Sequence, residues 1–268
     1  MAHPIYNQNL GLIGILAQSA PPFEPPTDCI TFTGESSDFT LTATKGWDGT
    51  VEYCTDVTPW TKWDGTAISS HNKKLYLRGS GNTTFSTSNG MFHLSAKAGC
   101  SGNLNTLLEH SNPPTTLSAG CFNCMFYQCT NLTTAPELPA TTLGFQCYRY
   151  MFYQCTNLTK APSLPATTLA EQCYYGMFSY CSKLTIVPAL PATTLATYCC
   201  FNMFSNCSSF KVSSKQTGTY QYAWRIPTSG TISSAATGWS GSMLYGTGGT
   251  FTSNPSINTT YYVENKPV

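Results

Sequence analysis

The residues able to do chemistry are thirteen cysteines and four histidines in a chain of 268 residues. Cys121 and Cys124 have the C-x-x-C spacing of a metal clamp or a dithiol redox pair. No second such pair follows, and later copies of the same position hold Tyr150, Gly176 and Asn202, so a buried thiol is the better reading. His3, His71, His93 and His110 fall at no metal-ligand spacing. A Ser-His-Asp triad assembles in space and leaves no linear trace, yet no nucleophile elbow or other catalytic motif is present. No catalytic residue, metal or cofactor is therefore expected. Leu138–Leu143 (LPATTL) is similar to the sortase anchor LPxTG, but it lacks the glycine, recurs inside the chain and has no apolar tail behind it. The sequons at Asn82, Asn131, Asn157 and Asn258 read as accidents of a Thr- and Asn-rich composition.

The elements that must position these residues are repeats. Cys121, Cys147, Cys173 and Cys199 recur every 26 residues, as do Met125, Met151, Met177 and Met203, and Cys129, Cys155, Cys181 and Cys207. LPATTL closes three successive units, and Pro114–Leu117 is a remnant of a fourth. Three full copies and two partial ends cover 113–212.

Each unit divides in two. Cys147, Met151, Cys155 and Leu158 fall at i, i+4, i+8 and i+11, one stripe of a 3.6-residue helix. Helices are thus expected at 119–129, 144–155, 170–181 and 196–207. The second half, Leu158–Pro165, contains two prolines and reads as a short extended segment. Strands about 4.8 Å apart and helices about 8–10 Å apart make such a stack curve. The expected fold is an α/β solenoid, leucine-rich-repeat-like, with one short strand plus one helix per 26-residue coil. On that geometry same-column cysteines sit beyond the roughly 7 Å limit for bridging, so eight reduced, buried thiols are expected.

Units such as CYRYMFYQCTNLTKAPSLPATTL resemble the BspA-like leucine-rich repeats of gut and oral bacteria and their phages, across 113–212. The flanks KLYLRGSGNTTFS and PSINTTYYVENKPV are similar to segments that accompany those repeats in gut-phage, Firmicutes or Bacteroides proteins. The resemblance implies surface exposure, adhesion or host interaction, and no catalysis.

Around the repeats, residues 29–112 form a small antiparallel β domain with a helical cap. Phe39–Ala43, Val51–Cys54 and Lys74–Arg78 alternate with period two. Asp48-Gly49 and Asp64-Gly65 are hairpin signals, and Asn103–Glu109 is a short capping helix. Residues 213–268 form a C-terminal cap with a last strand at Tyr261–Val263. Residues 1–28 are an anchoring peptide ended by the stiff PPFEPP linker. LGLIGILA has a signal-like core, but no basic residue precedes it and two prolines follow. No run reaches the roughly 18 apolar residues of a membrane span.

Charged residues are only 9% of the chain and the net charge is +1, which excludes nucleic acid as an electrostatic partner. Columns that differ between copies mark the expected surface: Thr134/Lys160/Ile186 and Glu137/Ser163/Ala189 on the extended face, with Tyr148 and Tyr174 among tyrosines on the helical side. These are the expected ligand contacts. The apolar segment with Ile5, Tyr6, Leu10, Leu12, Ile13, Ile15 and Leu16 is expected to dock residues 1–20 on a capsid or tail protein, or on sister subunits of a homo-oligomer, a trimer. The function read from these features is a non-enzymatic virion surface protein of a tailed phage, a capsid decoration or fibre. It would sit on the virion surface and adhere to a host surface protein or glycan without a membrane partner. The alternative is an adhesin on the bacterial cell surface.

Overall fold

The computed structural model describes residues 23–184, 191–192, 196–203 and 207, and beyond them the backbone of four strands. The anchoring residues Ile5 to Leu16 lie outside the described residues, as do Ile186 and Ala189.

Strand-forming, alternating sequence builds the N-terminal part. Strand β1 (Ile30–Gly34) buries Ile30 and Phe32 and leaves Thr31 and Thr33 half-buried, the period-two signature of a strand with one face in the core. It pairs antiparallel with β6 (Lys74–Ser80) and β8 (Ala98–Ser101). β3 (Thr50–Cys54) and the short β4 (Thr61–Lys62) complete the order β4-β3-β6-β1-β8. A second antiparallel sheet has β2 (Thr40–Ala43) between β5 (Ile68–Ser69) and β7 (Phe92–Leu94). Aromatic rings fill the space between: Trp47 stacks on Trp63 at 5.6 Å and on Phe85 at 5.8 Å. The linker's Phe23 packs elsewhere, its ring 5.7 Å from that of Tyr76, which clusters with Cys29 and Cys54 apart from this core.

Neither Asp-Gly pair makes a two-residue hairpin. The Asp48 carboxylate accepts the Thr83 and Thr84 N–H groups, and Asp64 accepts that of Thr66. Asp64 organises its own turn by a local hydrogen bond, while Asp48 ties its loop to one 35 residues away. The expected cap at 103–109 is a single 3₁₀ turn, Leu104–Leu107, with Asn103 as its N-cap.

The described residues of the repeats contain no helices. Residues 119–128, 145–154, 171–180 and 197–203 are continuous turns, and no α-helix occurs among the described residues. Met151, Tyr153 and Cys155 donate their N–H groups three residues back, to Tyr148, Tyr150 and Phe152. In alternation with them, Tyr148, Tyr150, Phe152 and Gln154 donate to the carbonyls of Cys173, Tyr175, Met177 and Ser179 in the next coil. A helix would send all of these donors four residues back. Every fourth residue is left-handed: Gln146, Tyr150 and Gln154 have φ of 57°, 52° and 57°. Non-glycine residues resist that region at roughly 1–2 kcal/mol each, and here the inter-coil hydrogen bonds offset the cost.

Coil spacing agrees with hydrogen-bonded chains, not with packed helices. Phe126, Phe152 and Phe178 stack nearly parallel at 5.5 and 5.4 Å, and Phe122, Tyr148 and Tyr174 at 6.0 Å. Packed helices need 8–10 Å. The α/β solenoid with one strand and one helix per coil is therefore overturned. Among the described residues the extended halves form no continuous parallel strand ladder either, only isolated bridges such as Thr116–Thr142–Thr168.

The β domain covers the first coil. Segment 131–137 lies parallel to β8 through the Ala98–Leu132 and Asn103–Glu137 bridges, while Met91 and Phe92 both donate to the Met125 carbonyl. Phe32, Phe92 and Phe126 meet with centroids 5.5–6.4 Å apart. One hydrophobic core thus runs from Ile30 to Cys207 across the expected boundary at 112. Beyond it, β9 (Ala223–Arg225), β10 (Met243–Thr247), β11 (Thr250–Thr252) and β12 (Thr260–Asn265) pair antiparallel in the order β11-β10-β12-β9, with the Tyr261–Val263 strand inside β12.

Candidate functional site

Adjacent coils are tied by hydrogen bonds at their turns and again at the LPATTL end, where Thr167 N–H donates to the Thr141 carbonyl at 3.0 Å. Between these ties, segments 134–139 and 160–165 run side by side with no backbone hydrogen bond between them. The cause is in the sequence: Pro136, Pro139, Pro162 and Pro165 carry no N–H to donate. The two segments part and leave an open groove of about 510 Å³ walled by the four prolines. Leu138 and Leu164, 3% and 2% exposed, turn inward and pin each wall to the core.

Four of the expected ligand contacts meet at this groove. Thr134, Glu137, Lys160 and Ser163 line it and are all exposed. Thr134 is held in place: its hydroxyl donates to the Cys100 carbonyl at 3.3 Å, over Gly99. A Cβ on Gly99 would lie 2.3 Å from that hydroxyl oxygen, so only glycine fits beneath it. Glu137 and Lys160 form no ion pair among the described residues. The groove offers one carboxylate, one ammonium, two hydroxyls and apolar proline walls, with no nucleophile–base pair among its lining residues.

Tyr148 and Tyr174 are not there. They are 1% and 0% exposed and stack in the core, so they are unavailable as ligand contacts. Their hydroxyls are buried without a hydrogen-bond partner. The tyrosines that do reach the surface of the turns are their neighbours. Tyr127 stacks on Tyr153 at 4.7 Å, and Arg149 lies 4.6 Å over the Tyr150 ring and 5.3 Å over the Tyr175 ring.

The cysteines are structural. All thirteen are buried thiols. Coils at hydrogen-bond spacing bring column-mates closer than packed helices would, so distance does not keep them apart. What occupies the thiols is the backbone: Cys155, Cys181 and Cys207 each donate S–H to the carbonyl of Phe126, Phe152 and Phe178 in the preceding coil, at 3.0 Å. Burial pushes the Cys129 and Cys207 thiols up to about 12 and the Cys155 and Cys181 thiols well above the usual range. In the Cys121-x-x-Cys124 pair burial likewise raises both, Cys124 to about 11. A reactive or metal-binding cysteine is shifted the other way, and no metal-binding cluster of His, Cys, Asp and Glu occurs among the described residues.

The histidines serve the β domain. His71 Nδ1 is 2.5 Å from Asp56, and His110 Nδ1 is 2.7 Å from Asp28, which also faces Arg78 at 3.4 Å. His93 is exposed and His3 lies outside the described residues. The sequence reading gives the prolines the roles of excluding helix and interrupting the strand ladder, and so misses the groove. Their recurrence at two positions in adjacent coils is the available signal.

No protein-family model matches this chain, and neither a curated protein nor a solved structure is found similar to it. The BspA-like resemblance rests on the repeat motif and its flanking segments alone.

Proposed function

We propose that this chain is a non-enzymatic contact protein of a virion surface, a capsid decoration or fibre of a tailed phage that adheres to the host surface. The observation that carries the reading is the proline-walled groove. It lies where the copies of the repeat differ, and its floor and walls are the residues the copies share. A scaffold that holds its core fixed while its rim varies from coil to coil is suited to recognition, in the way loops on rigid frameworks are. The low charge and the inert, buried thiols are consistent with a displayed surface. Attachment to the particle is assigned to residues 1–20.

Fluorescently labelled full-length chain applied to host cells tests it. Wild type should coat the envelope. Glu137→Lys combined with Lys160→Glu should lower binding at least tenfold while the melting temperature stays unchanged. Absence of cell binding by wild type, or full binding by the groove variant, would overturn the assignment.

A further inference from the structure

The turn strips present a second surface, separate from the groove. Buried pairs Cys147/Tyr148 and Met151/Phe152 alternate with half-buried pairs Arg149/Tyr150 and Tyr153/Gln154. The period of four keeps each set on one side of the strip from coil to coil. The outward side is strongly aromatic: Phe145, Tyr180 and Tyr198 are 45%, 42% and 41% exposed. Tyr150, Tyr153, Tyr175 and Phe201 fill the gaps between them through ring contacts of 5.2–5.4 Å. Tyrosine with arginine is the composition of interface centres, and an aromatic face of this extent in contact with water marks an interaction surface.

Only two charges stand on this face in the described coils, Arg149 and, one coil further on, Glu171. Neither forms an ion pair among the described residues. The Arg149 guanidinium is laid over the Tyr150 and Tyr175 rings, and its Nε is buried without a partner. The Glu171 side chain is contacted by the Gln172 amide, at 3.3 Å.

We propose that this face binds a second copy of the chain through a two-fold axis. A base and an acid in successive coils on one flat face are self-complementary under that symmetry. Turning one copy by 180° about an axis between the two coils sets Arg149 against Glu171 of its partner, and Glu171 against Arg149, while the aromatic rings meet at the centre. A nucleic acid would want more than one cation here, and an anionic ligand would be opposed by Glu171. The dimer leaves both grooves open, so it raises adhesion by avidity. It does not rest on what the groove binds.

Charge exchange in the full-length chain tests it, with mass measured by analytical ultracentrifugation. Wild type should sediment as a dimer, or as a multiple of dimers if residues 1–20 add their own contact. Arg149→Glu should halve that mass and weaken association at least tenfold, and Glu171→Arg should do the same. Mixing the two variants, or combining both changes in one chain, should restore association, since each then pairs unlike charges again. Restoration also shows that the variants fold. Association that survives Arg149→Glu, or fails to return in the mixture and in the double variant, overturns the proposal, as does a monomeric wild type that instead binds neutral oligosaccharide at this face. Lys160→Glu should leave the dimer intact, so failure of the groove reading and failure of the dimer are told apart.

Discussion

The β domain and the coils solve the same problem, pairing buried backbone groups, in opposite ways. In the β domain each strand meets a partner of complementary register: Phe32 lies opposite Leu75 on one side and Cys100 on the other. The strands are joined through loops of varied length. In the coils a donor such as Phe152 N–H reaches a carbonyl one repeat away, and the side chains stack on copies of themselves. The β domain closes its ladders internally except at β8, whose outer edge pairs with segment 131–137. A coil cannot, because half its donors belong to the next coil. Stability in the coils is therefore a nearest-neighbour property, and it depends on small buried donors that the β domain hardly needs.

The largest difference should appear in alkali. Thiols with raised values stabilise the fold fully below the ordinary value of 9.0, and that stabilisation is lost as pH rises toward about 12 for Cys207. Because seven such thiols line the coils in two columns, circular dichroism during a titration from pH 8 to 12 should show coil signal lost. A transition centred below pH 7 instead would contradict the thiol assignment. Next, Phe152→Ala removes a ring stacked on both Phe126 and Phe178 and should cost about 3–5 kcal/mol by denaturant melt. Gly176→Ala should cost about 1–3 kcal/mol, since its Cβ would lie 2.2 Å from the Tyr150 ring. Cys155→Ala loses an S–H donor to the Phe126 carbonyl and should cost about 1–2 kcal/mol, with Cys155→Ser recovering part of it. The smallest effect is Tyr148→Phe. It removes a buried hydroxyl that has no partner and should be neutral or stabilising by up to about 1 kcal/mol. A clear loss there would place a hydrogen-bonding partner at that hydroxyl.

The core was legible because period and burial are linked whatever the backbone does. Met151, Cys155 and Leu164 are buried as their fixed columns suggested. The backbone was not legible from the same stripe. Positions i, i+4 and i+8 drift by 80° on a helix of 3.6 residues per turn, while a spiral of four-residue turns keeps them aligned. Two features favoured the turns: the strictness of the period of four, and a segment (CYRYMFYQC) in which Cys, Tyr and Phe, weaker helix formers, outnumber Arg149, Met151 and Gln154. Of the site, Thr134, Glu137, Lys160 and Ser163 could be read because variation between copies reports exposure. Tyr148 could not, since an aromatic ring fits a core column and a surface equally well and only its phase in the period of four assigns it to the core.

Where the Phe152 N–H points decides between turns and helix. Scalar coupling across hydrogen bonds, measured by NMR on isotope-labelled full-length chain, reads the acceptor directly. The coils described above predict a coupling from the Phe152 nitrogen to the Met177 carbonyl carbon, one coil away. A coupling from Phe152 to the Tyr148 carbonyl carbon, four residues back, would restore the helix and contradict the fold on which the groove and the aromatic face depend.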